Sequence, residues 1–164
     1  MQPIKSMKAV AIQKVNSEGV VTMYTLHFIG DQLSEFEKFV KKFKDNAQLK
    51  RDYQIIIYAL SKVAKNGAWK RYFRPEGKMN DRVCAIPVDS GKLRLYCLRI
   101  SDQILIIGNG GLKNTRTYEE SEELSGYVMD LQKFDGIIKM GVDRGLLYVT
   151  ETAIEGINNQ VFSI

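Results

Sequence analysis

The chain has 164 residues, enough for one domain with a proper core and crowded for two. With 45% hydrophobic and 26% charged residues and no low-complexity run, it is neither a disordered tail nor a collagen-like fibre. A formal net charge of +5 favours a polyanionic partner over an acidic protein surface, although ordinary enzymes often carry as much.

Alternation through Ala9, Ala11 and Lys14, the turn Asn16-Ser17-Glu18-Gly19, and the run from Val20 to Phe28 predict a β-hairpin. Gly30 and Asp31 end the second strand. Asp31 is the expected N-cap of a first helix, whose apolar residues Leu33, Phe36, Phe39, Val40 and Phe43 recur at helical spacing. Leu49, Tyr53, Ile56, Ile57, Leu60 and Val63 repeat that spacing, and Asn66-Gly67 supplies a stop, so an antiparallel helical hairpin is predicted. From Trp69 to Asn80 the chain is strongly basic and belongs on a loop or a sheet edge, with a turn at Pro75-Glu76-Gly77.

Three short strands follow, Arg82 to Pro87, Lys92 to Ile100 and Gln103 to Gly108, with connections short enough to imply an antiparallel meander. In the middle strand Leu93, Leu95 and Cys97 should face the core, leaving Lys92, Arg94 and Tyr96 on a basic, aromatic face. Thr117 with Glu120 makes a capping box for a third helix with the stripe Leu124, Tyr127, Val128, Leu131 and Phe134. Beyond Gly141 a strand is expected at Leu146 to Val149, and the remaining residues show no clear period.

No stretch approaches the roughly 18 consecutive apolar residues that span a bilayer, and residues 1–8 lack the apolar segment of a signal peptide. A cytoplasmic protein with no membrane partner is expected. Cys84 and Cys97 lie outside any CxxC pair and His27 is the only histidine, so local motifs assemble neither a zinc site nor a histidine triad. Both thiols read as small buried groups, and His27 as a structural residue of an apolar strand. Gly108-Asn109-Gly110-Gly111 lacks the spacing and the βαβ context of a phosphate loop. The carboxylates of Glu119, Glu120, Glu122 and Glu123 suit a helix start better than acid–base catalysis.

The basic set carries more. Lys70, Arg71, Arg74, Lys78, Arg82, Arg94, Arg99, Lys113 and Arg116 concentrate in the middle third, interleaved with Trp69, Tyr72, Phe73, Tyr96 and Tyr118. Cations that neutralise phosphates, beside rings that stack on unpaired bases, are what single-stranded RNA recognition requires. Lysines and arginines that merely protect sheet edges would look similar in composition.

From Tyr24 to about Leu124 the order of elements resembles the RelE/HigB superfamily of toxin ribonucleases. Tyr24-Thr25-Leu26-His27-Phe28 is similar to that family's first strand, the two amphipathic helices to its helical hairpin, and Lys92-Leu93-Arg94-Leu95-Tyr96 to its arginine- and tyrosine-bearing strand. Ile104 to Ile107, then Gly111-Leu112-Lys113-Asn114-Thr115, is similar to its last core strand and following basic segment, with Leu112 and Asn114 replacing an aromatic residue and a second lysine.

The resemblance implies an α+β fold in which an antiparallel sheet packs on an N-terminal helical hairpin, with a further helix after the last core strand. It divides a single domain, 1–164, into a core at 24–124, an N-terminal strand extension at 1–23 and a C-terminal extension at 125–164. It further implies metal-independent cleavage of mRNA, free or ribosome-bound, by attack of a ribose 2′-hydroxyl, with no cofactor and with a cognate acidic antitoxin as partner. Carried over by position, Arg94, Lys113 and Arg116 would stabilise phosphate and transition state, and Tyr118 would transfer a proton. Lys70, Arg71, Arg74, Lys78, Arg82 and Tyr96 would contact RNA. Two alternatives stay open: a noncatalytic module on the same scaffold that binds RNA or protein, and an interaction domain with no nucleic-acid role.

Overall fold

Period-two apolar patterning produces the longer strands near the start of the chain and in its middle, and helical periodicity produces three helices. The computed structural model describes residues 7–16, 18–76, 82–89, 91–158 and 160–164. In chain order these form β1 (Ala9–Asn16), β2 (Thr22–Phe28), α1 (Glu35–Phe43), α2 (Lys50–Asn66), β3 (Arg74–Pro75), β4 (Val83–Ile86), β5 (Leu93–Ser101), β6 (Ile104–Leu112), α3 (Glu122–Asp143), β7 (Tyr148–Val149), β8 (Ile154–Glu155) and β9 (Val161–Ser163). Short 3-10 turns at Lys70–Tyr72 and Tyr118–Glu120 precede β3 and α3.

The main sheet has seven strands in the order β3-β4-β5-β6-β2-β1-β9. The expected hairpin of β1 with β2 and the meander β4-β5-β6 are both antiparallel. The sheet is mixed, however, because β2 runs parallel to β6, Thr22 opposite Ile104 and Thr25 opposite Ile107. This corrects the purely antiparallel expectation. A strand that leaves the sheet through two helices can return at any distance, and here the chain re-enters at β3 and meanders back to lie beside β2.

Both faces of the sheet are covered. Met23, Cys84, Ile86, Leu93, Leu95, Cys97, Leu105 and Ile107 join Phe39 and Phe43 of α1 and Ile56, Leu60 and Val63 of α2 in one core. The alternate residues, including Tyr24, Leu26, Val83, Ala85, Tyr96, Leu98, Ile104 and Ile106, join Leu124, Val128, Leu131, Phe134 and Ile138 of α3 in the other. Each Leu, Ile or Phe fully buried in either layer contributes about 1.5–3 kcal/mol of transfer free energy. The chain ends belong to the second core, which takes Val10 and Ile12 from β1 and Leu147, Ile154, Ile157 and Ile164 from beyond α3.

Two helix starts differ from expectation. Ser34, not Asp31, caps α1: its hydroxyl accepts from the Glu37 N–H at 3.2 Å while Glu37 reaches back to the Ser34 N–H at 3.0 Å. Asp31 instead pairs with Lys38 at 2.6 Å. Ser121, not Thr117, caps α3 by accepting from the Leu124 N–H at 3.2 Å. The last strand of the meander also runs on to Leu112, so the run Gly108 to Gly111 lies inside β6. Its glycines seat neighbours: a Cβ on Gly110 would lie 1.9 Å from the Arg94 carbonyl oxygen, and one on Gly108 3.0 Å from Leu131. The expected strand at Leu146 to Val149 shrinks to β7, paired with β8, and Val161 to Ser163 extend the main sheet beside β1.

Candidate nucleic-acid site at the β3–β5 edge

Register brings the predicted residues together step by step. Arg74 pairs with Ala85 and Ala85 with Tyr96, so all three share the face that α3 covers. Arg94, two residues before Tyr96, shares that face too. Glu76 follows β3 and donates its N–H to the Val83 carbonyl at 3.1 Å. After β6 the chain turns back over the same region: the Lys113 N–H donates to the Lys92 carbonyl at 2.7 Å, and the Tyr118 ring meets the Tyr96 ring edge-on at 6.4 Å. Glu76, Arg94 and Tyr118 thereby gather around Tyr96, and Arg74, Arg94 and Lys113 around Glu76.

The electrostatics of this cluster are unusual in one respect. Burial pushes the Glu76 carboxyl above its ordinary pKa, and the nearby cations Lys113, Arg74 and Arg94 oppose that push without cancelling it. Burial also drives the Tyr96 phenol well up, with the Glu76 charge adding to the effect. Arg94 donates through Nη1 to the carbonyls of Gly91 and Leu93 at 3.2 and 3.0 Å. Its Nε and the Tyr96 hydroxyl are buried with no hydrogen-bond partner among the described residues. Unpaired polar atoms inside a protein are costly, and two of them lie in this one cluster.

Several expectations need correction or refinement. Tyr96 is fully buried beneath α3 and the Tyr118 ring, so it cannot stack on a base; the face expected to be open is the floor of the second core. Arg82 donates from Nε to the Asp135 carboxylate at 2.9 Å and from Nη2 at 2.5 Å, which ties β4 to α3. Arg116 lies outside the cluster, with 90% of its side chain exposed and Glu120 at 3.9 Å. Lys70, Arg71 and Arg74 are exposed, Arg71 lying 5.1 Å over the Tyr72 ring. Lys78 lies outside the described residues. Glu76 was missed because the turn Pro75-Glu76-Gly77 read as a mere connection; its signal was a single carboxylate within the basic run from Lys70 to Lys78.

The other polar and titratable candidates have structural work. His27 is bonded through Nδ1 to the Gln13 side chain and through Nε2 to the Asp31 carbonyl, both at 2.9 Å. Cys84 and Cys97 are buried thiols outside any disulfide, Cys84 Sγ donating to the Cys97 carbonyl at 3.6 Å, and burial pushes the Cys97 thiol far up. Glu123 accepts from the Tyr127 hydroxyl at 2.9 Å, and Lys42 of α1 donates to that hydroxyl at 3.1 Å and to the Gly110 carbonyl at 3.0 Å, joining α1, β6 and α3. Burial lowers the Lys42 pKa, with Glu123 opposing. Among the described residues no group of three or more His, Cys, Asp and Glu side chains is placed to hold a metal ion. Nor is any helix among them long and apolar enough to cross a membrane.

Comparison of the chain with family models, with curated proteins and with solved structures found no match.

Proposed function

We propose that this chain is a toxin-type RNA-binding protein that cleaves mRNA by attack of a ribose 2′-hydroxyl, held in check by an acidic antitoxin laid over its cationic edge. The observation that carries the reading is the gathering of Arg94, Lys113 and Tyr118, three residues chosen by position in a family pattern, around one buried tyrosine and Glu76, together with Arg74. From β2 to α3 the order is strand, two helices, four strands and a helix, and β2, α1, α2, the meander β4 to β6 and α3 follow the order that the resemblance implies.

In this reading Arg74, Arg94 and Lys113 hold the scissile phosphate and balance the charge that builds on its oxygens in the transition state. The ionised Glu76 carboxylate takes the 2′-proton as the 2′-oxygen attacks phosphorus; its raised pKa makes it a better base near neutral pH than an ordinary carboxylate. The bond from phosphorus to the 5′-oxygen breaks, and the Tyr118 hydroxyl gives that oxygen a proton. The products are a 2′,3′-cyclic phosphate and a 5′-hydroxyl. Arg116 serves as an outer phosphate ligand.

A noncatalytic module is the second reading, favoured by the packing of Tyr118 on Tyr96, which gives Tyr118 a structural task of its own. Purified protein incubated with RNA, free and on translating ribosomes, in the presence of a chelator decides between them. Cyclic-phosphate ends that vanish in Arg94→Ala and fall about 100-fold in Glu76→Gln support the nuclease. Binding without any cleavage supports the module.

A further inference from the structure

A second concavity opens at the opposite end of β5, a cleft of about 460 Å³ bordered by Asn66, Trp69, Ser101, Gln103 and Thr150. That volume lies in the range of small-molecule sites. Its walls are fixed by the backbone. The Ala68 N–H donates to the Asp102 carbonyl at 2.7 Å, and Arg99 Nε donates to the Ala68 carbonyl at 2.6 Å while its guanidinium pairs with the Asp102 carboxylate. The segment after α2 is thus stapled to the turn between β5 and β6.

Trp69 is held in one orientation. Gly67 has φ +124°, and a Cβ there would stand 2.9 Å from the indole Cε2, so the edge of the ring lies directly on the glycine. The indole remains 39% exposed and borders the cleft. On the same cleft, Gln103 keeps its side-chain Oε1 buried with no partner among the described residues. The Gln103 backbone is otherwise satisfied, its carbonyl accepting from the Thr22 N–H at 2.9 Å and its N–H donating to the Ser101 hydroxyl at 3.2 Å. The exposed ring of Trp69 suits a flat ligand, and a turn of the Gln103 amide toward the cleft would give its unpaired acceptor an N–H of that ligand.

We infer that this cleft receives one unpaired nucleobase, a purine in preference to a pyrimidine because the larger ring stacks more strongly on Trp69, from the RNA whose phosphates run along the exposed cations Lys70, Arg71 and Arg74 toward Glu76; the assignment rests on the RNA binding proposed above. Trp69 immediately precedes Lys70, so a strand leaving the cleft meets those cations at once. The carboxylate of Glu151, also on the cleft, disfavours a phosphate inside it and leaves the neutral base as the group that enters.

Trp69 is the only tryptophan in the chain, so its emission reports on the cleft alone. The probes are 2′-O-methyl oligoadenylate and oligouridylate, which bind as RNA does but cannot be cut by 2′-oxygen attack. Oligoadenylate should quench Trp69 and bind about tenfold more tightly than oligouridylate, by the stronger stacking of the larger ring. Trp69→Ala should erase that preference, read by anisotropy of an end label, whereas Gln103→Leu should weaken both oligonucleotides alike while melting no lower than the wild type, because it also removes a buried unpaired acceptor. Oligoadenylate that binds, by anisotropy of an end label, with Trp69 emission unchanged would overturn the inference, as would an adenine preference that survives Trp69→Ala. Quenching without cleavage of ordinary RNA keeps the cleft and removes the nuclease; cleavage with silent Trp69 does the reverse. No oligonucleotide binding of any kind removes both.

Discussion

The two faces of one sheet are filled by different rules. Under α1 and α2 the buried side chains are mostly hydrocarbon, aromatic or thiol, with Phe39 packing its ring on Phe36, Phe43 and Tyr53, and the buried polar ones are paired, Thr25 with the Ile107 carbonyl, Ser34 with the Glu37 N–H and Glu35 with Lys38. Under α3 the layer is equally buried but admits polar groups: the Tyr96 hydroxyl, Arg94 Nε, and the carboxylates Asp130 and Asp135. Some of these are paired and some are not, and the unpaired ones lie at the β3–β5 edge where the cations gather. A face that serves only stability has no use for such groups; a face that also serves a ligand does.

The largest effect that sharpens this contrast should come from the first face. Phe39→Ala should cost about 3–5 kcal/mol in chemical denaturation, and the surviving fold should show unchanged RNA affinity. A smaller loss, about 2–4 kcal/mol, is expected for Asp135→Ala, which strips Arg82 and Lys139 of their shared partner. If that variant is as stable as the wild type, the tie between β4 and α3 contributes nothing. Tyr96→Phe should move the other way, gaining about 1 kcal/mol because an unpaired hydroxyl leaves the interior. Destabilisation instead would mean that the hydroxyl has a partner in solution.

The smallest effect is a pH dependence. The Glu76 pKa is raised on folding, so the folded state holds its proton more tightly than the unfolded chain does. Its contribution to stability is therefore present below the unfolded value, near 4.5, and is lost as pH rises from there through the raised folded value. Asp130, buried and only partly offset by Lys8, adds to the same trend from its own unfolded value near 3.8. Melting of Glu76→Gln across that window should show a shallower decline than the wild type; identical slopes would place Glu76 in water.

How far this contrast could be read from sequence follows from the range of the forces involved. Strand and helix identities rest on local periodicity, and β1, β2, α1, α2 and the meander emerged at nearly their observed positions. Caps depend on which of several nearby polar residues the chain's path favours, and Ser34 and Ser121 prevailed over Asp31 and Thr117. The parallel pairing of β2 with β6 joins residues some 80 positions apart, as Thr25 and Ile107 show, and no turn chemistry encodes it. Tyr96 looked exposed because Arg94 and Lys92 flank it on an alternating strand, yet α3 arrives from outside the pattern and covers it. Arg94, Lys113 and Tyr118 were legible as a group only through the family pattern. Glu76 was legible through neither, because its importance comes from the cations folded around it.

The claim that this edge, and not the rest of a basic surface, holds RNA phosphates is tested most directly by the salt dependence of binding to a single-stranded oligoribonucleotide. Replacing Arg94 and Lys113 together with alanine should reduce the slope of log affinity against log salt by about 1.4, roughly 0.7 for each phosphate no longer neutralised. Replacing the exposed Lys62 and Lys65 of α2 should leave the slope unchanged. An undiminished slope in the first double variant, with a reduced slope in the second, would contradict the account.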